Sequence, residues 1–364
     1  MSSDILGDIK SPRYVHAVSE EIRKLKIEKR ISIMHVCGTH EHTISKSGLR
    51  SLLPENVRLI AGPGCPVCVC SSAEIDLAIR LATEHGVILT TFGDMYRVPA
   101  TGGSMEYFKA MGADIRVVYS PMDAVALARG NPTREVVFMA VGFETTAAPI
   151  SAAVLSGPPE NFSLVTSLKV IPPALRFLLD RGATEIDGFI LPGHVSAIIG
   201  RKVYDFLAEE YKVPGAIAGF EAVDVLLAVK NIVEQVVSNT QPVVSNLYTR
   251  VVKENGNEKA IASIGRVFRT GDANWRGIGI IPDTGLYLAE EFEHLDARKK
   301  FGVAPEKAVE IQPGCLCDKV ILGEAEPEDC ALFATTCTPS KPYGPCMVSS
   351  EGTCRARYNY RRVD

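Results

Sequence analysis

The chain has 364 residues, of which 46% are apolar and 23% charged; this is ample for a sizeable core and excludes bulk disorder. Its 39 basic and 43 acidic side chains leave a net charge of −4, the wrong sign for a sequence-independent nucleic-acid binder. No stretch reaches the roughly 18 consecutive apolar residues of a membrane span. The polar run from Met1-Ser2-Ser3-Asp4 to Glu20-Glu21-Ile22-Arg23-Lys24 lacks the apolar region of a secretory signal, so a cytoplasmic protein is expected, with no nucleic-acid or membrane partner.

From Arg30 onward, short β-branched runs alternate with amphipathic stretches. Strands are predicted at Ile31–Val36, Val57–Ala61, Val87–Phe92, Ile115–Tyr119, Val136–Val141, Leu164–Val170, Gly188–Leu191 and Ala216–Ala218. Helices are predicted at Ala73–Glu84, Met122–Arg129, Ala174–Asp180, Ser196–Glu210 and Ala222–Val237. Near-continuous apolar strands alternating with helices indicate parallel sheets covered on both faces. The fold class is therefore α/β, with two doubly wound parallel-sheet units, residues 30–130 and 131–238, divided at Gly130-Asn131-Pro132. Farther on, Val243–Lys253, Glu258–Phe268 and Leu286–Phe301 read as helical and Gly277–Ile281 as extended. Residues 1–29 and 239–364 are assigned to a third, mainly helical and loop domain. Its end, Ile311–Asp364, is rich in Cys, Pro and Gly, and the run from Thr338 to Cys346 can be neither helix nor central strand. Such a segment needs a metal centre to order it.

The ten cysteines bunch: four lie from Cys37 to Cys70, none from 71 to 314, and six from Cys315 to Cys354. In a reducing compartment that pattern points to metal or redox chemistry rather than to disulfides. Open parallel sheets bind ligands at the carboxyl ends of their strands. The first predicted strand runs into Cys37-Gly38-Thr39-His40-Glu41-His42, with His35 two residues before the thiol and His40 a short turn beyond it. A cysteine just before a helix N-terminus feels the macrodipole, which favours the thiolate. The bland alternative is a buried strand-end thiol with solvated histidines.

The second strand runs into Gly62-Pro63-Gly64-Cys65-Pro66-Val67-Cys68-Val69-Cys70, a C-x-x-C at a strand-to-helix turn, followed by a capping box expected between Ser71 and Glu74. Vicinal thiols there exchange electrons with a disulfide, and the same spacing can ligate a metal. Val67 breaks the dinucleotide pattern and no Walker A sequence occurs, so a nucleotide reading lacks its fingerprint. Later strand ends place Asp94, Glu144 and His194 where a sheet presents its active face. Asp94 and Glu144 can relay protons there, though each fits capping and turn chemistry equally well.

In the tail, 14 residues separate Cys315 from Cys330, 6 separate Cys330 from Cys337, and 16 separate Cys337 from Cys354. Four thiolates bind zinc or an iron–sulfur cluster alike by count. The absence of paired C-x-x-C knuckles in the tail favours a [4Fe–4S] cluster over a zinc ribbon. Cys317 and Cys346 are spare thiols able to substitute as ligands, so spacing leaves the set open, and Cys70 is unassigned.

Taken together, Cys37-Gly38-Thr39-His40-Glu41-His42, Gly62-Pro63-Gly64-Cys65-Pro66-Val67-Cys68, Thr91-Phe92-Gly93-Asp94-Met95, Gly142-Phe143-Glu144-Thr145-Thr146 and the four-cysteine tail closely resemble the HypD family of hydrogenase maturation factors. The resemblance runs over essentially the whole chain; Ala100, where Gly is expected, is a minor departure. It implies a scaffold and redox protein on which the Fe(CN)2CO unit of [NiFe] hydrogenases is assembled, rather than a conventional turnover enzyme. The partners implied are a small HypC-type chaperone and HypE, which with HypF donates cyanide. By similarity, Cys37 would hold the iron together with a HypC cysteine. Cys65 and Cys68 would be the redox dithiol, near the same iron. Cys315, Cys330, Cys337 and Cys354 would hold the [4Fe–4S] cluster, and His40, Asp94 and Glu144 would line the cleft. Two other readings compete: an iron–sulfur thiol–disulfide reductase acting on a protein disulfide, and a zinc-stapled binding module.

Overall fold

The structure, a computed structural model, describes residues 11–182, 185–238 and 240–361. Its strands are β1 (Ile31–His35), β2 (Val57–Ala61), β3 (Ile88–Thr91), β4 (Ile115–Val117), β5 (Val136–Gly142), β6 (Phe162–Lys169), β7 (Gly188–Pro192), β8 (Gly215–Ala218), β9 (Val244–Asn246), β10 (Phe268–Trp275) and β11 (Gly279–Leu288). They build two sheets, ordered β2-β1-β7-β8-β9 and β10-β11-β6-β5-β3-β4. Every pairing in the first sheet is parallel. The second is parallel from β6 through β5 and β3 to β4, with the β10–β11 hairpin added antiparallel at one edge. All seven residues of β5 are buried, as a strand covered on both faces requires.

The expected α/β class stands, with two parallel-dominated sheets and a Cys-rich C-terminal region. The grouping of strands differs from the expected contiguous units. The chain lays down β1 and β2 in the first sheet, crosses to make β3–β6 in the second, and returns for β7–β9. Gly130-Asn131-Pro132 therefore lies at a helix-to-strand turn inside the second sheet's layer, after helix Pro121–Gly130 and before β5. Some residues past 239 join the two sheets: β9 extends the first and β10–β11 the second. The reason is that β8 and β6 each offer an open edge, which later segments cover by backbone pairing.

Three local expectations also change. The predicted helix Val243–Lys253 is instead β9 followed by a turn, in which the Asn246 side chain donates to Val252 O at 2.9 Å. The predicted helix Ser196–Glu210 is broken at Gly200, whose φ of 86° lies in the region glycine tolerates, leaving helix Gly193–Ile199 and helix Asp205–Glu209. The predicted helix Leu286–Phe301 begins as β11, passes through a 3-10 turn at Glu290–Leu295 and is helical only at Ala297–Phe301. Among the described residues no helix is long and apolar enough to cross a membrane.

Candidate functional site

Strand order reverses between β2 and β7 around β1 in the first sheet, and between β4 and β5 around β3 in the second. Crevices at the carboxyl ends of such switch points are where doubly wound sheets bind ligands. Cys37 follows β1 and His194 follows β7, while Asp94 follows β3 and Glu144 follows β5. The sequence motifs therefore fall at both switch points.

Cys37 caps the start of helix Gly38–Lys46. Beside it, the extension of β2 continues to pair, with Gly62 N–H donating to His35 O at 2.9 Å and Gly38 N–H to Gly64 O at 3.0 Å. A Cβ on Gly64 would stand 2.2 Å from both Cys37 N and Val36 C, so only glycine lets the two thiol-bearing turns meet. Cys65 caps the next turn, Pro66–Val69. Its sulfur accepts from Cys68 N–H at 3.4 Å and from the Cys68 thiol at 2.7 Å.

All three thiols are buried. Burial pushes Cys37 up to about 11; the nearby Glu351 carboxylate adds to this, and the backbone N–H groups of His40 and Thr39 oppose it. The helix N-terminus therefore does not make the expected thiolate, because desolvation of the charged form outweighs the dipole. Burial also raises Cys68 well above the ordinary thiol range. The expected Ser71–Glu74 capping box is absent as well. Ser71 Oγ donates to Glu310 at 2.7 Å, and Glu74 turns to Arg298 and Lys169.

The histidines are held by the fold rather than solvated. His40 is fully buried, stacks on Phe220 with ring centroids 5.0 Å apart and bonds Gly219 O through Nε2 at 2.9 Å. Burial lowers it to about 4, so it is neutral near pH 7. His35 pairs with Glu41 at 2.8 Å, and Arg50 grips the same carboxylate at 2.7 and 3.0 Å. His194 stacks on the other side of Phe220 at 3.9 Å. Asp94 is exposed on the short helix Gly93–Tyr96. Glu144 is buried, with Oε1 accepting Ile171 N–H at 2.9 Å.

The tail comes back onto this site. A Cβ on Gly38 would meet Glu351 O at 2.4 Å, and Thr39 Oγ1 donates to Glu351 Oε1 at 2.8 Å. Cys346 lies within electrostatic reach of Cys68, Cys317 and Cys354. Cys315 bonds Cys317, and Cys337 lies within electrostatic reach of both. Cys317 and Cys346, unassigned by spacing, thus stand between the dithiol and the remaining tail sulfurs. The Cys330 thiol faces Gly314 O at 3.8 Å, at the start of the turn that ends in Cys337. Glu351 carried no sequence signal, since its relevance comes from contacts with residues far away in the chain.

The donor chemistry of the tail suits a soft metal or iron–sulfur centre. The converging groups are all sulfur, and Tyr343 N–H donates to Cys337 Sγ at 3.3 Å. A Cβ on Gly344 would fill the space 2.6 Å from Cys317 Sγ and 2.7 Å from Cys315 Sγ. Among the described residues no three His, Cys, Asp or Glu side chains close into a metal polyhedron. An open groove of about 1000 Å³ is lined by Glu135, Glu160, Glu293, Lys299 and Lys300 among others, and no cysteine lines it.

An α/β fold with two parallel-dominated sheets and a buried array of thiols at one switch point defines, by class, a candidate site for thiol-based metal or redox chemistry. The particular family follows from comparison: residues 13–361 match the HypD family, described as the hydrogenase formation hypA family, and the chain belongs to it. It is 46% identical to a hydrogenase expression/formation protein of Methanocaldococcus jannaschii, with 96% of each chain covered. It is 42% identical to hydrogenase maturation factor HypD of Escherichia coli, covering 99% of this chain and 98% of that one. Hydrogenase maturation factor HypD2 of Bradyrhizobium diazoefficiens is 45% identical over 92% of this chain and 90% of its own.

Proposed function

We propose that this chain is a cytoplasmic hydrogenase maturation factor that holds iron at Cys37 while cyanide and carbon monoxide ligands are attached, working with a HypC-type partner and with HypE and HypF as cyanide source. The observation that carries the reading is the apposition of Cys37 to the Cys65/Cys68 turn through Gly64. An anchoring thiol and a two-electron store meet there at one switch point. Soft thiolate ligation suits an iron that carries cyanide and carbon monoxide. The partner's cysteine would complete the grip on the cargo. His40, Asp94 and Glu144 are assigned to the surrounding cleft, with His40 one turn beyond the anchor on the helix that Cys37 begins.

Closing a Cys65–Cys68 disulfide releases two electrons and two protons, and the existing thiol contact makes that bond the nearest one to form. Thiol–disulfide exchange with Cys346 and then Cys317 would restore the dithiol and leave the disulfide on the Cys317–Cys346 pair. Cys315, Cys330, Cys337 and Cys354 are the residues that would hold a [4Fe–4S] cluster, which when bound supplies single electrons. Cys70, its thiol 3.3 Å from Ser167 Oγ, is given no role in this reading.

The test is an infrared spectrum of the anaerobically purified protein co-expressed with its small partner. Cyanide and carbon monoxide bands on iron are expected in the wild type and absent in Cys37→Ala. An intact complex without bands would overturn the scaffold reading in favour of the thiol–disulfide reductase. Cys65→Ser with undiminished bands would remove the dithiol from the mechanism.

A further inference from the structure

Helix Thr353–Tyr360, near the end of the chain, packs along helix Gly38–Lys46, which Cys37 begins. Two side-chain pairs fasten them. Thr39 Oγ1 donates to Glu351 Oε1 at 2.8 Å. The Tyr360 hydroxyl and His42 Nε2 share a hydrogen bond at 3.2 Å, with the rings edge to face and 5.2 Å apart. Thr39 and His42 are three residues apart, so both pairs grip one face of the helix.

The backbones also touch at the Cys37 end. A Cβ on Gly38 would stand 2.4 Å from Glu351 O and 2.5 Å from Glu351 Cβ. On its other side the same segment meets the tail: a Cβ on Gly352 would stand 2.3 Å from Cys346 O and 3.0 Å from Cys346 Cα. Two glycines thus let Cys346, the Glu351-Gly352 segment and Gly38 lie in contact in that order, with Cys37 covalently next to the last. These neighbours are mostly backbone, which cannot swing aside as the tip of a side chain can.

Helix Thr353–Tyr360 is at the same time built into the tail thiols. Cys354 is its second residue and is buried. Arg357, one turn on, grips Glu328 at 2.9 and 3.0 Å, two residues before Cys330. The helix has only eight residues, too few to persist in water by itself, so these tertiary ties decide whether it forms.

We propose that Thr39 and Glu351 are positioning residues that couple the tail to Cys37. Seating of the tail thiols on their metal centre orders helix Thr353–Tyr360, and the clasp then fixes the first turn of helix Gly38–Lys46 and the thiol that caps it. This rests on the preceding reading in one respect, that the tail thiols hold a metal centre. The consequence is an order of assembly: the cargo thiol is set in place only in a chain whose electron source is already present. No bond is made or broken in the coupling, which is a shift in the population of one element biased from two sites.

The experiment is anaerobic hydrogen–deuterium exchange, read by mass spectrometry on the full chain as purified and after an iron chelator. The reporters are the amides of Gly38 and Glu41, which bond Gly64 O at 3.0 Å and Cys37 O at 3.2 Å. Stripping iron from the wild type is expected to speed exchange in helix Thr353–Tyr360 and at these two amides together, and to leave β5 unchanged. The same response is expected in Cys37→Ala, where stripping cannot act through cargo iron. Thr39→Val with its iron retained is expected to speed the two amides about tenfold, the factor set by losing one hydrogen bond to a charged acceptor. Thr39→Ser, which keeps the donor, is expected to match the wild type. First-turn amides indifferent to iron while helix Thr353–Tyr360 loosens would overturn the proposal and leave the metal-centre reading intact. So would a response lost in Cys37→Ala, exchange in Thr39→Val equal to wild type, or an equal rise over β5. Should Thr39→Val fail to fold, the loaded and stripped wild type decide alone. An anaerobic protein without iron removes the metal-centre reading and this inference together.

Discussion

Replacing Glu144 by Gln turns one buried carboxyl into a pH-independent amide and so exposes a term in the stability of the protein. Burial raises the Glu144 carboxyl from its ordinary 4.5 to about 7, against the pull of Ile171 N–H, while in the unfolded chain it titrates near 4.5. A carboxyl whose folded value is raised adds stability that is fully present below its unfolded value and is lost as pH rises through its folded value. Moving from 4.5 to about 7 corresponds to about 3 kcal/mol as an upper bound. Gln keeps an oxygen for Ile171 N–H and cannot ionise; the amide nitrogen in place of Oε2 adds a cost that does not vary with pH. Urea denaturation under anaerobic conditions, at about pH 5, 7 and 9, should therefore show the variant gaining on the wild type by up to about 3 kcal/mol across that range. A difference between the two proteins that stays constant with pH would refute the argument that Glu144 is desolvated.

Two further substitutions test the frame around the thiols. Gly64→Ala places a methyl group 2.2 Å from backbone atoms of Val36 and Cys37, which cannot rotate away, and should lower stability by about 1–3 kcal/mol; an unchanged urea midpoint would show that the two turns are not in contact. Glu41→Gln leaves His35 and Arg50 without their carboxylate and should cost about 3 kcal/mol near pH 7. Burial alone would raise the Glu41 carboxyl, but Arg50 and His35 hold it well below the usual carboxylate range, so its stabilisation is present above about pH 4.5 and lost as pH falls. If the variant matches the wild type at pH 7 and in acid alike, the ion pair contributes nothing.

The alternation of apolar strands and amphipathic helices gave the α/β class and placed most of β1–β8 to within a few residues, because each element is specified by its own period. The β10–β11 hairpin was read as helix end, extended piece and helix start, since its edge strand exposes residues such as Arg269, Thr270 and Asp272 and lacks a clean apolar alternation. The thiol motifs were legible for a similar local reason: Cys37 and the Cys65/Cys68 pair each end a strand, where a parallel sheet presents ligands. Their protonation was not legible. The helix-terminus argument considered only neighbours in sequence, whereas burial by the rest of the core decides whether Cys37 is a thiol or a thiolate.

The sequence by itself determined the class of fold, the positions of the strand-end thiols and the crowding of sulfur in the tail. It did so because periodicity and cysteine spacing are written within a few dozen residues. Only the tertiary structure decided which strands share a sheet and that Cys317 and Cys346 bridge the dithiol to the tail. It alone brought Glu351 against Gly38. Those facts depend on backbone pairing and desolvation between segments up to some 300 residues apart, as the Thr39–Glu351 bond with its separation of 312 shows. No local pattern encodes the surroundings that such distant segments create.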